Sequence, residues 1–414
     1  MPEFFTVLSP EAALAKLWAH LPALPSNEVI PTAEALGRVT AAAVTATASV
    51  PAFVRSTMDG YAVRARDTFG ASPTLPAYLN LVGEVPMGRA PDFPVEAAQA
   101  ALVHTGGMLP AGADAVVMIE LTQKVSEHEI EVLKAVAPGE NLLRVGDDIV
   151  RGAPVVGAGH WLRPQDLGGL MALGITQVTV ARRPRVALLA TGDEVVPPEA
   201  EPAPGQVRDV NSYSVAGQIL QAGGVPVRGG IAPDNFAALK AAAEAALAGA
   251  DALVLSAGSS VSVRDMTGDV IAGLGAPGVL VHGVAVKPGK PTILAVADGK
   301  PVFGLPGNPV SAMVIADLFV VPTLYYLQGC AQPPARQSVR ARLTHNVASQ
   351  AGRVDYVPAR LRQRPGAAGP EWWAEPVFGK SNQIFTLVFA DGMLVVPMDA
   401  NGIATGETVE VRLF

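Results

Sequence analysis

The spacing of apolar residues changes along the chain, and each change predicts a new structural unit. Near the start, Leu14, Leu17, Trp18 and Leu21 recur at helical intervals behind Ser9-Pro10-Glu11, with Ser9 placed as N-cap and Pro10 at the first helical position. Residues 31–37 read as a second, short helix closed by Gly37. From about Val50 the pattern becomes β-like. Runs at 78–85, 100–105, 115–119 and 129–133 are separated by Gly, Pro and Asp, which predicts a small β domain. Residues 139–152 return the chain to the first helical region, where Arg163-Pro164-Gln165 opens a helix that ends at Gly174.

The stretch 185–328 carries the clearest pattern. Short apolar strands at 186–190, 226–231, 251–256 and 302–305 alternate with helices over 211–222, 235–248, 266–274 and 310–327, with a further β-like run at 279–286. That alternation predicts a doubly wound, mostly parallel sheet covered on both faces. Beyond the turn-rich Gly329-Cys330-Ala331-Gln332-Pro333-Pro334, period-two runs at 338–343, 354–361, 372–378 and 393–396 predict a second small β domain. The expected organisation is therefore α/β and multidomain. Residues 1–49 with 145–182 form a helical scaffold, 50–144 a small β domain, 183–328 the α/β domain and 329–414 a C-terminal β domain.

Composition narrows the function classes. A net charge of −7 lacks the basic footprint of a nucleic-acid protein, so an anionic ligand must be held by local cations and backbone. Cys330 is the only cysteine, which excludes an internal disulfide and a cysteine metal cage; its plain reading is a small apolar filler. The six histidines are scattered, with no pair at metal-ligand spacing. The start, MPEFFTVLSPEAAL, shows no basic segment followed by an apolar core. No run of ~18 residues is free of polar interruption. A cytoplasmic protein is expected, with neither membrane nor nucleic acid as partner.

In open α/β sheets ligands bind beyond the carboxyl ends of the strands. Thr191-Gly192-Asp193-Glu194 follows the first predicted strand, Asp234 the second, Gly258-Ser259-Ser260 the third and Pro306-Gly307-Asn308 the last. Any one of these loops is explained by turn chemistry alone, but four at the same end of the sheet point to binding. Lys287 and Lys290, held apart by Pro288-Gly289, suit a phosphate or another oxyanion. The Asn308-Pro309 helix start would aim backbone N–H groups at the same place. Asp193, Glu194, Asp234 and Asp265 supply carboxylates, and carboxylates beside phosphate imply a bridging Mg²⁺. Asp59, which precedes Gly60, is read as a turn residue on local grounds. No G-x-S-x-G elbow, P-loop, H-E-x-x-H or G-x-G-x-x-G fingerprint is present, so serine hydrolase, P-loop NTPase, zinc protease and Rossmann dehydrogenase readings are weak.

Five motifs occur in order: Met58-Asp59-Gly60-Tyr61-Ala62-Val63, Pro110-Ala111-Gly112-Ala113-Asp114-Ala115-Val116-Val117, Thr191-Gly192-Asp193-Glu194, Lys287-Pro288-Gly289-Lys290-Pro291 and Leu305-Pro306-Gly307-Asn308-Pro309-Val310-Ser311. Together they resemble the molybdopterin molybdenumtransferases, the family of the MoeA proteins and the gephyrin E domain, over nearly the whole chain. The resemblance implies a transferase that inserts molybdate into adenylylated molybdopterin with Mg²⁺, releasing AMP and molybdenum cofactor. It also implies an elongated homodimer whose site lies between the α/β domain of one subunit and the small β domain of the other. Asp59 and Thr105 would approach from the partner subunit, and Asp148, in Gly146-Asp147-Asp148-Ile149, matches an acidic turn of the family. Glu194, Asp234, Asp265, Lys287 and Lys290 would line the α/β domain, with Glu194 or Asp265 on the metal. Thr191, Gly192, Asp193, Gly258, Ser260, Pro306, Gly307, Asn308 and Ser381 would bind the cofactor. Transient contact with molybdopterin adenylyltransferase and molybdoenzyme chaperones is expected as well. One departure stands out: Ala257-Gly258-Ser259-Ser260-Val261-Ser262 replaces the family's Gly-Gly-Val-Ser-Val-Gly, narrowing a loop meant for close approach to phosphate. Two rival readings are an adenylyltransferase-like enzyme, which needs no flanking β domains, and a gephyrin-like scaffold, for which the chain offers no long linker.

Overall fold

A computed structural model of the chain describes residues 7–22, 26–257, 261–366 and 369–414, with the side chains of 261–265 outside the description. At its centre is a six-stranded sheet in the order Val225–Ala232, Arg185–Thr191, Ala252–Ala257, Lys300–Pro306, Ile293–Ala297 and Pro277–His282. The first four strands are mutually parallel and the last two pairings are antiparallel, so that Ile293–Ala297 alone runs against the rest and the expected mostly parallel sheet is present. Side chains alternate across it as the pleat requires. Val186, Leu188, Val254, Phe303 and Leu305 pack on one face with Val215 and Ile219 of the helix Asn211–Gln221 and with Phe319. Ala187, Leu189, Leu253, Leu255 and Val302 pack on the other with Leu239 and Leu247 of the helix Phe236–Ala248 and Ile271 of Val261–Ala272.

The strand Ile293–Ala297 is absent from the sequence reading, which took 287–305 as one passage. Asp298 and Gly299 both have positive φ (50° and 83°), the geometry of a type I′ hairpin turn, and fold Ile293–Ala297 back on Lys300–Pro306. The helix that follows runs Pro309–Ile315, passes through a π-helical turn at Ala316–Val320, and continues as Val321–Leu327. By length and composition, 309–327 is also apolar enough to cross a membrane, but 61% of it is buried in the domain core.

The helix Pro10–Trp18 packs across the expected domain boundary. Its Ala13 and Leu17 belong to the same core as Val186 and Phe303, and Trp18 stacks on Tyr326 at 5.2 Å while Nε1 donates to Thr323 Oγ1 at 3.1 Å. An amphipathic helix must bury its apolar stripe, and the α/β domain supplies the surface. The scaffold proper begins at Asn27–Pro31, which pairs antiparallel with Gln177–Ala181 around Ala35, Leu162, Leu170 and Val178. Residues 31–37 form one 3₁₀ turn, Thr32–Glu34, rather than an α-helix.

The small β domain is a six-stranded sheet in the order Ala115–Met118, Gly60–Val63, Gln99–Val103, Ala77–Glu84, Glu129–Val132 and Thr122–Ser126. The C-terminal sheet includes Val354–Gly366, Gly369–Pro376, Ser338–Leu343, Thr408–Leu413 and Gly392–Val396, and takes Val286–Lys287 from the α/β domain as its edge. Tyr356, Leu387 and Met393 extend the core under the 309–327 helix, so these two domains share one apolar interior.

In the scaffold, the helix Pro164–Ala172 starts on a capping arrangement in which Asp166 accepts from the Arg163 backbone N–H at 2.8 Å and from its guanidinium at 2.9 and 3.0 Å. His160 Nε2 lies 2.8 Å away. The Arg163 guanidinium, and then His160, hold this half-sequestered carboxyl well below the usual range. A carboxyl whose folded pKa is depressed contributes stability above its unfolded value of about 3.9, and that contribution is lost as pH falls towards the folded value. Asp166→Asn is therefore expected to cost about 1–3 kcal/mol in urea unfolding at pH 7. The gap from wild type should narrow at pH 3, and a gap of the same size at both pH values would refute the charge-based account.

Candidate active site

The carboxyl ends of the parallel strands are tied together by polar side chains. Thr191, fully buried, donates from Oγ1 to Asp234 Oδ1 at 2.8 Å. The Asp234 N–H donates to Asp193 Oδ1 at 3.1 Å, and the Asp193 N–H to Asp234 Oδ2 at 3.4 Å. Asp193 and Asp234 thus join two neighbouring strand ends before any ligand is considered. Gly192, at φ +147°, makes the turn possible: a Cβ there would lie 2.7 Å from Glu194 Oε2 and 2.8 Å from Val195 Cγ2. The glycine leaves the room in which the Glu194 carboxylate folds back over the loop.

Beyond this edge lies a cavity of about 600 Å³, walled by Thr191, Glu194, Asp209, Asn211, Ser256 and Gly307. Asn211 is buried, donates from Nδ2 to the Gly307 carbonyl at 2.8 Å, and has no partner for Oδ1 among the described residues. The Gly307 carbonyl fixes the amide orientation, because the flipped amide would set two acceptors against each other.

A second cavity, of about 660 Å³, opens on the other side of Asn308, which lines both. Lys287, Lys290, Arg353 and Lys380 stand around it with Ser311 and Ser381, and Asp355 is its single carboxylate among the described residues. Asp355 is buried to 3% side-chain exposure and lies 3.5 Å from Lys287 Nζ and 2.9 Å from Arg353 Nε. Lys290 forms no ion pair among the described residues. The lysine loop is fixed by its backbone: Val284 and Thr292 donate to the Lys290 carbonyl at 3.0 and 2.9 Å, and Thr292 Oγ1 to the Gly289 carbonyl at 2.6 Å. Pro306 also lines this cavity.

One expectation is corrected here. The helix start at Pro309 does not present all its first N–H groups to a ligand, because Val310 donates to the Ser381 carbonyl at 3.0 Å. Ser381 Oγ in turn accepts from Asn308 Nδ2 at 2.9 Å. The C-terminal loop occupies part of the anion cradle and holds Asn308 in place.

Asp59 and Thr105 meet in the small β domain. Thr105 donates to Asp59 Oδ1 from its backbone N–H at 2.8 Å and from Oγ1 at 3.2 Å. These two hydrogen bonds, with a smaller contribution from His104, hold the Asp59 carboxyl below its usual range. His104 Nε2 lies 2.9 Å from Glu84 Oε1. Asp59 therefore does more than shape its own turn: it fixes a threonine from another loop. Asp148 lies in a turn whose N–H donates to the Val50 carbonyl at 3.1 Å. None of the cavities described above is lined by Asp59, Thr105 or Asp148. Gly258 and Ser260 lie outside the described residues, as does the side chain of Asp265 in the helix Val261–Ala272.

Among the described residues no three carboxylate or imidazole groups converge on one point. The donors at the sheet edge are nonetheless all oxygen, and the room above Gly192 admits the Glu194 carboxylate. Mg²⁺ is commonly held by one or two carboxylates together with substrate phosphates, so this donor set fits it.

Sequence reasoning missed Arg353, Asp355 and Lys380 because their meeting with the lysine loop depends on how two domains dock. Lys380 did lie in the polar Gly379-Lys380-Ser381-Asn382 loop, which was a usable signal. Asp209 and Asn211 were hidden in an ordinary helix start.

Three family models cover the chain in order. They are the MoeA N-terminal region (domain I and II) at residues 8–174, a probable molybdopterin binding domain at 187–326 and the MoeA C-terminal region (domain IV) at 340–414. A putative molybdopterin biosynthesis protein of Methanocaldococcus jannaschii is 34% identical over 391 residues, covering 92% of this chain and 90% of that one. Molybdopterin molybdenumtransferase 2 of Mycobacterium tuberculosis is 32% identical over 391 residues, covering 92% and 94%. A solved molybdopterin biosynthesis MoeA protein of Pyrococcus horikoshii matches at a TM-score of 0.84 and 31% identity, covering 99% of this chain and 100% of that one. Matched at this identity over nine-tenths of its length, the chain belongs to the molybdopterin molybdenumtransferase (MoeA) family, transferases of molybdenum cofactor biosynthesis.

Proposed function

We propose that this chain inserts molybdate into adenylylated molybdopterin and releases AMP. The observation that carries the reading is the basic cavity, where four cations face one buried carboxylate in a chain of net charge −7. Such a local excess of positive charge suits a small, doubly charged oxyanion. The adjoining cavity offers the polar wall and volume for a heterocycle, and Asn308 stands between the two. In the reaction, two Mo–S bonds form and two molybdate oxygens leave as water. One water is consumed when the P–O–P linkage to AMP is cleaved. Molybdenum keeps its oxidation state, so no redox partner is required.

Lys290, without a carboxylate partner among the described residues, neutralises the incoming oxyanion, whereas Lys287 shares its charge with Asp355. Fixed cations of this kind stabilise charge on a leaving phosphate. Mg²⁺, held by Glu194 with Asp265 as the second candidate, would supply further charge neutralisation at the phosphates. Asp59 and Thr105 form a prearranged pair away from the cavities, which supports a site completed by the small β domain of a second copy in a homodimer.

Incubation with adenylylated molybdopterin and Mg²⁺ should release AMP only when molybdate is added; release without molybdate would refute metal insertion. Lys290→Gln should raise the molybdate KM about tenfold or more, and an unchanged KM would remove Lys290 from the oxyanion site. Asp59→Asn preserves the turn, so the thermal midpoint should stay near wild type while molybdate-dependent turnover falls roughly 30- to 1000-fold. Mixed Asp59→Asn and Glu194→Gln proteins should regain activity through one intact site per heterodimer. No recovery after confirmed subunit exchange, or a monomer only in sedimentation at micromolar concentration, would exclude the shared site.

A further inference from the structure

Behind the pair Asp59–Thr105 stands a row of two further titratable side chains, His104 and Glu84. The backbone sets the row. His104 directly follows the strand Gln99–Val103, and its carbonyl accepts from the Gly107 N–H at 2.8 Å. That turn is tight enough that a Cβ on Gly107 would lie 2.9 Å from the same oxygen. The loops carrying Asp59 and His104 are then joined twice: Gly106 donates to the Ser56 carbonyl at 2.8 Å, and Ser56 to the Gly107 carbonyl at 2.9 Å. On the other side, Ala77–Glu84 runs parallel to Gln99–Val103, and its register slips between Leu81 and Gly83, so that Glu84 falls opposite Leu102. A bulge re-aims the side chains beside it. Here Glu84 Oε1 reaches His104 Nε2 at 2.9 Å, while His104 Nδ1 lies 3.9 Å from Asp59 Oδ1.

Each member of the row has a separate task. A carboxylate only accepts, so Glu84 fixes an imidazole proton on Nε2 and with it the orientation of the ring. The contact from Nδ1 to Asp59, at 3.9 Å, is electrostatic and not a hydrogen bond. The Asp59 side chain is 62% exposed, and the terminal torsion of an aspartate is broad, so its carboxylate turns readily unless it is held. The Thr105 N–H, Thr105 Oγ1 and His104 Nδ1 all address Oδ1, and no contact among the described residues reaches Oδ2. We propose that Glu84 and His104 are positioning residues for Asp59: Glu84 orients His104, His104 faces Oδ1 beside Thr105, and Oδ2 is thereby presented outward to the reacting groups. The role of Asp59 itself rests on the function proposed above. His104 and Glu84 act only through it, and His104 also stands between two carboxylates that would otherwise face each other.

The test uses the intact protein with His104→Ala and Glu84→Ala. The two side chains are 41% and 57% exposed, so both variants should melt near wild type. In molybdate-dependent AMP release, His104→Ala is expected to lower kcat about tenfold and Glu84→Ala by less, with the molybdate KM unchanged. Because the row acts as one unit, the double variant should lose no more than His104→Ala alone, and His104→Ala should cost nothing further in an Asp59→Asn protein. A carbon-13 titration of the Asp59 carboxyl adds a readout independent of turnover. Its midpoint, held low by Thr105 and in smaller part by His104, should move upward in His104→Ala. Additive losses, a loss confined to KM, or a titration that ignores His104 would overturn the positioning role. Molybdate-dependent release whose kcat is indifferent to both variants removes this inference and leaves the reaction standing. No such release from wild type, with an Asp59 titration that still answers to His104, removes the proposed reaction and leaves the row itself.

Discussion

The buried carboxylate of Asp355 is the interaction on which the site depends most. It comes from the C-terminal sheet, yet it fixes Lys287 of the α/β domain at 3.5 Å and Arg353, just before its own strand, at 2.9 Å. The same place is bound through the backbone, because Val286–Lys287 pairs in parallel with Val354 and Asp355 as an edge of the C-terminal sheet. A carboxylate at 3% exposure is costly to desolvate unless its oxygens are matched, and two cations match them here. One negative charge thereby orders two positive ones while leaving the cavity with a net excess. The lysine loop and the C-terminal domain are accordingly one device.

A second contact between the same domains shapes the other wall. Ser381 takes the Val310 N–H and the Asn308 amide, so the turn after Lys300–Pro306 is finished by a loop some seventy residues later in the chain. This modifies the usual economy of an α/β sheet, in which a strand end and a helix start make an anion site alone. Here part of the helix-start capacity is already filled, and side-chain cations supply the missing positive potential. The shared apolar interior beneath, with Tyr356 and Met393 packed under 309–327, keeps the two domains in a fixed relation.

How much of this was legible in the sequence varied with the range of the interaction concerned. Strands 185–191 and 252–257 and the helix 236–248 follow from local apolar runs and end signals, and their observed limits lie within a few residues of the reading. The hairpin turn at Asp298-Gly299 was available but was passed over inside a long apolar passage. The helix Pro10–Trp18 follows from its periodicity, but the α/β surface it packs on does not, since periodicity shows that a stripe must be buried and not against what. At the site, Lys287 and Lys290 declared themselves by spacing. Asp355 and Arg353 did not, because their meeting with the lysine loop depends on how the two domains dock. Asp59 is the reverse case: the local reading was a turn residue, the resemblance gave it a role, and the fold joins it to Thr105 across a 46-residue separation.

The distribution of charge explains why several domains are needed. The chain is acidic overall, so a substrate bearing phosphates and a dianion is not drawn by the global field and must be met by fixed local cations. Four cations crowded on one loop would repel one another and destabilise it. Here Lys287 and Lys290 arrive on the α/β domain and Arg353 and Lys380 on the C-terminal domain, and their convergence is secured by Asp355 and by packing elsewhere. The repulsion is thus offset by burial remote from the ligand, which leaves the cavity charged and structurally unrelaxed. A lone α/β domain would keep the sheet edge with Thr191, Asp193 and Asp234 but lose Arg353, Lys380 and the Ser381 clamp. It would keep the strand-end loops, but not the cluster of cations beside Asn308. The C-terminal domain therefore belongs to the site as much as to the scaffold.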